Sequence, residues 1–146
     1  MPVAFVPAAV PALDLHDSGR WRELGVTHWH CGTDDVATDD KIRYSAERWH
    51  GLTGARYELH TGDPHEAWRF MAEARIRTCA RGSDPAAVAR AAGIGSPEEW
   101  ERACRLSWWM LTHAKGFTST GIVISDGRSV DLFVEGMTPY TCSRHP

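Results

Sequence analysis

From residue 38 onward, apolar positions at helical spacing alternate with sharp capping signals. Thr38 or Asp39 can cap a helix running to about His50, with Ile42, Ala46 and Trp49 on one face and Gly51 at its end. Asp63, Pro64 and Glu66 supply an N-cap, a proline at the first helical position and a capping-box partner, so a helix is predicted from there to about Ala80, with Gly82 beyond it. Asp84 and Pro85 repeat the device for a short helix that ends at Gly93. Ser96, Pro97 and Glu99 repeat it again and open a helix that Gly116 closes.

Period-two alternation brackets these helices. Residues 26–31 and 55–60 read as half-buried strands with a helix between them, an order that implies a right-handed crossover and parallel pairing if the two strands are neighbours. Residues 120–124 and 128–135 read as a hairpin around Ser125, Asp126 and Gly127. A three-residue loop with Gly127 left-handed keeps Ile122, Ile124, Val130 and Leu132 on one face, whereas a two-residue loop would set Ile122 opposite Asp131. The expected architecture is therefore α+β. A small mixed sheet, made of a parallel N-terminal strand pair and a C-terminal antiparallel hairpin, is covered by about four helices.

The helix from Pro97 to Lys115 carries more apolar surface than one stripe needs. Trp100, Ala103, Cys104, Ser107, Trp108 and Leu111 form a core face, while Leu106, Trp109 and Met110 fall outside it. Either the helix is central in the monomer, or Trp109 and Met110 face a second subunit. The expectation is a homodimer, with the N-terminal arm as a candidate for crossing between subunits.

With 146 residues the chain is one domain, 1–146, whose first 20 residues are an extended arm broken by Pro2, Pro7 and Pro11. It is too short for a (β/α)₈ barrel. No stretch approaches the roughly 18 apolar residues that span a bilayer, and the N-terminus lacks the pattern of a secretory signal. Cys31, Cys79, Cys104 and Cys142 form no CxxC pair, so reduced thiols in the cytoplasm are expected. There are 14 Arg against 2 Lys, a formal net charge of −3, and neither Asn nor Gln. Specific polar recognition must then come from Arg, carboxylates, hydroxyls, imidazoles, indoles or backbone.

Five of the eight His lie between residues 28 and 65. His28 and His30 stand two apart on a predicted strand and so share a face, opposite Trp29 and Cys31. If Tyr57 and Leu59 are the core side of the next strand, Arg56, Glu58 and His60 join the two imidazoles. In a parallel pair His30 and His60 would both end at the carboxyl edge of the sheet, with Asp34, Asp35, Asp63 and His65 in the loops leaving it. His28, His30, Asp35, Glu58 and His60 are the candidate catalytic set. One His can act as general base and another as general acid on a small molecule or peptide, with no cofactor. Alternatively, two or three imidazoles and a carboxylate could hold a divalent metal. A third reading is a non-catalytic inhibitor or accessory protein that uses its seven Trp as anchors.

A winged-helix reading of residues 84–135 is disfavoured. Its register would place Glu99 and Arg102 where the recognition helix needs apolar residues, and Glu98, Glu99 and Glu101 would meet phosphate with negative charge. His113 and His50, at predicted helix C-termini, suit the helix dipole better than catalysis.

Overall fold

The computed structural model describes residues 4–37, 56–113 and 116–139. Among these the elements run α1 (Arg20–Glu23), β1 (His28–Ala37), β2 (Arg56–Thr61), α2 (Pro64–Ala80), α3 (Pro85–Ala91), α4 (Pro97–His113), β3 (Gly116–Ser125) and β4 (Arg128–Met137). The four strands form one sheet in the order β2-β1-β4-β3, every neighbouring pair antiparallel. The fold is α+β as expected, but the parallel strand pair is not present. β1 does not stop at Cys31. It continues to Ala37 and runs antiparallel to β2, whose first residue, Arg56, faces Thr33. The helix expected over residues 38–50 lies outside the described residues, as does Cys142.

The predicted helices α2, α3 and α4 start where the capping signals put them. Asp63 accepts a hydrogen bond from the His65 N–H at 2.9 Å, Asp84 from Ala87 at 3.2 Å and Ser96 from Glu99 at 3.1 Å. The short α1 follows Asp17, whose carboxylate accepts from the Gly19 N–H at 2.8 Å and from the Trp21 indole at 3.0 Å. In the hairpin, Ile122 faces Val130 and Val123 faces Ser129, the expected register, but the three-residue loop is not formed: Ser125 pairs with Arg128, the loop is Asp126 and Gly127 (φ 74°), and a register shift near Ile124 takes up the extra residue.

Alternation along the strands gives the sheet two different faces. Trp29 and Cys31 of β1, Val130, Leu132 and Val134 of β4 and Ile122 of β3 are buried in one apolar cluster with Ala67, Trp68, Met71, Ala72 and Ala74 of α2. Full burial of such side chains stabilises by about 2 to 3 kcal/mol each for the larger ones. The arm joins this cluster through Phe5, Val6, Val10, Leu13 and Leu15, and indoles of α4 hold it. Trp100 donates to the Ala9 carbonyl at 3.1 Å and Trp108 to that of His16 at 2.8 Å. The arm thus packs on its own chain.

Of the described Trp residues, Trp21, Trp29, Trp68, Trp100 and Trp108 are buried, whereas Trp109 is 57% exposed and Leu106 56%. α4 is accordingly an outer helix whose uncovered side carries two large apolar side chains among charged ones. No helix of the described residues is long and apolar enough to cross a membrane.

Candidate functional site

The second face of the sheet carries the chemistry. Along β1 it presents His28, His30, Gly32 and Asp34. Along β4 the direct partners of these residues are Met137, Glu135, Phe133 and Asp131. On β2, His60 is the direct partner of His30. The antiparallel register therefore brings together His28, His30 and His60, which a parallel pair would have gathered only at a strand edge.

The His30 ring is stacked on that of His60, with centroids 4.3 Å apart and planes 22° from parallel, and lies 5.0 Å from the His28 ring. His30 is 1% exposed, His28 is half-buried and His60 is exposed. The row thus runs from a buried imidazole outward to two that can meet a ligand. Thr27 helps to orient the first ring. Its hydroxyl lies 2.9 Å from His28 Nδ1 and 3.5 Å from the Met137 carbonyl, so a hydroxyl that donates to the carbonyl accepts from Nδ1–H and leaves Nε2 as the acceptor.

The two expected carboxylates are not in this row. Asp35 stands one residue out of phase with it, and its carboxylate accepts from Arg81, just beyond α2, and from Arg128 at 3.2 Å. The Arg81 hydrogen bond and the two nearby guanidinium charges hold Asp35 below the usual carboxylate range. Asp35 is a structural clamp between strand and helix. Glu58 is the extra residue where the register slips: Cys31 faces Leu59 and Gly32 faces Tyr57. Its carboxylate accepts from Thr33 Oγ1 at 3.1 Å. The bulge re-aims Glu58 away from the position that regular alternation would give it.

Glu135, Asp131 and Asp34 occupy the carboxylate positions instead. Glu135 is half-buried opposite His30, and Asp34 and Asp131 face each other, 3% and 6% exposed. Next along β4 on this face, Ser129 Oγ is buried with no hydrogen-bond partner among the described residues. Sequence reasoning missed Glu135, Asp131 and Ser129 although β4 carried the signal, and it set Asp34 in a loop leaving the sheet edge rather than in β1. Val130, Leu132 and Val134 alternate with Ser129, Asp131, Phe133 and Glu135, so once the first set is core the second set is the other face.

Asp63 and His65 belong to the start of α2. The His65 ring lies 4.6 Å from that of Trp108, outside the imidazole row. His113 ends α4 with Nδ1 2.9 Å from the Trp109 carbonyl, the expected place for a dipole partner. A groove between the arm and α2, lined by Ala8, Ala9, Val10, Glu73, Ile76 and Arg77, contains no imidazole or nucleophile. Among the described residues no three His, Cys, Asp or Glu side chains are grouped to hold a metal ion.

Buried thiols complete the chemical inventory. Burial pushes Cys31 up to about 12 and Cys104 to about 11, and it also raises Cys79, against the pull of the Arg75 guanidinium. Arg75 is itself buried and donates to Ser107 Oγ at 2.6 Å. These thiols are core residues held protonated. No protein-family model, curated protein or solved structure matches the chain.

Proposed function

We propose that the protein is a small enzyme that performs general acid–base chemistry on a small molecule or peptide through the imidazole row, without a cofactor. One observation carries the reading: a buried His30 stacked on an exposed His60, with His28 beside it and Glu135 at the facing position of β4. A row of imidazoles across two strands costs desolvation and ordering that apolar residues would avoid, and it offers proton donors and acceptors near neutral pH. In this scheme His60 accepts a proton from the bound substrate. His28, its Nδ1–H held by Thr27, enters the cycle as the imidazolium and donates its Nε2 proton to the leaving or opposite atom, and exchange with solvent then resets both rings. His30 positions His60, and Glu135 supplies negative charge beside the row.

Ring geometry favours this form over the metal-dependent alternative. Imidazole lone pairs lie in the ring plane, so two rings stacked nearly parallel aim their nitrogens side by side and do not converge on one ion. Exposed Leu106 and Trp109 favour a second reading, a non-catalytic protein that binds another chain.

The test is turnover. Purified protein is incubated with fractionated small-molecule and peptide extracts, before and after chelator treatment, and products are followed by mass spectrometry. The proposal expects a product that survives chelation. Loss of turnover after chelation, restored by one divalent metal, would select the metal-dependent form, and no product from any fraction would leave the non-catalytic reading in its place.

A further inference from the structure

We infer that two copies of this chain associate through α4, paired antiparallel about a two-fold axis between Arg105 and Leu106. The uncovered stripe of α4 consists of Glu98, Arg102, Arg105, Leu106, Trp109 and His113, spaced so that all six fall within about a quarter of the helix circumference. At about 1.5 Å per residue the stripe is about 22 Å long. All six are exposed except the half-buried His113, which stacks on Trp109 with ring centroids 4.8 Å apart and planes 10° from parallel.

The stripe complements itself when one copy is reversed. About an axis between positions 105 and 106, Glu98 falls beside the second copy's position 113, Arg102 beside position 109, and Arg105 beside position 106. An acid then meets an imidazole at each end. A guanidinium meets an indole face, and the Arg105 stem, held along the helix by a 2.9 Å ion pair to Glu101, covers a leucine. A reversed copy also sets the acidic first turn against the helix C-terminus that ends at His113, so the two dipoles attract. A parallel pair would set Glu98 against Glu98 and Arg102 against Arg102. This fit selects a second copy over a foreign protein, because every complementary group is supplied by the same stripe. The interface is a single helix pair, which belongs to the small, rapidly exchanging class of contacts.

Sedimentation equilibrium of the full chain over a wide concentration series tests the inference. The expected result is a reversible monomer–dimer equilibrium, weakened about tenfold or more by Leu106→Glu or by Trp109→Glu, with melting temperature little changed because both sites are exposed. Glu98→Lys is expected to weaken the dimer, and adding His113→Glu is expected to restore it to within about threefold, since the pair is then exchanged. A monomer at every concentration would overturn the inference. So would a dimer indifferent to Leu106→Glu and Trp109→Glu, or a charge exchange that fails to restore association in a variant that melts normally.

Discussion

The carboxylate of Asp35 sits between the Arg81 and Arg128 guanidinium groups and is held below its ordinary range, first by the Arg81 hydrogen bond. Its folded state therefore binds a proton less readily than the unfolded chain. The stabilisation is full above the unfolded value near 3.9 and is lost as pH falls through the lower folded value. The side chain is partly exposed, so Asp35→Asn is expected to cost only about 0.5 to 1 kcal/mol at neutral pH and nothing in acid, measured by urea unfolding. The thiols act at the other end of the scale. Folded Cys31 and Cys104 lie well above their ordinary 9.0, so their contribution is full below that value and is lost as pH rises toward about 12 and about 11. Between about pH 8 and about pH 10 urea unfolding is expected to show a total fall of about 1 kcal/mol for each thiol, nearly all of it above the unfolded value, and Cys104→Ala should remove one such share. Alternation alone reveals that His28 and His30 share a face, because two-residue spacing fixes that whatever the strand direction, and His60 joins them because it is the direct partner of His30. The place of Glu58 depends on a bulge, and that of Asp35 on a strand continuing where a loop was expected. Neither is visible locally.

Helix boundaries were legible because each is marked by chemistry that only a helix start requires: a side-chain acceptor at the N-cap followed by proline, at Asp63, Asp84 and Ser96. Strand limits lacked such marks. Gly32, Thr33, Asp34 and Asp35 include weak strand formers, and they are held extended because β1 is flanked by β2 and β4 on its two sides. The hairpin register was legible because a one-residue slip would bring Asp131 onto the apolar face. Its Gly127 has positive φ, and no atom lies within 4 Å of the place a methyl group would take, so Gly127→Ala meets backbone strain and no clash. A loss of about 1 to 2 kcal/mol is expected in thermal or urea unfolding. A loss near zero would show that the loop shifts to another turn type.

At the scale of the molecule, the arm is tied down by indole N–H groups of α4. Trp108→Phe keeps most of the packing and removes the bond to the His16 carbonyl, at a cost of about 1 kcal/mol, and limited proteolysis should cut the arm sooner than in the parent. The topology was not legible: a strand, helix, strand order is compatible with either direction of pairing, and only the full length of β1 decides it. The imidazole row rests on the antiparallel register, in which His30 and His60 are direct partners. That row is the proposed chemical centre of the molecule. The most direct test compares the turnover rate of purified His60→Ala with those of the parent and Trp109→Ala, all checked for equal melting temperature. Removal of a general base predicts a loss of about 10²- to 10⁴-fold in His60→Ala and a near-parental rate in Trp109→Ala. Parental turnover in folded His60→Ala would contradict the claim that the imidazole row does the chemistry.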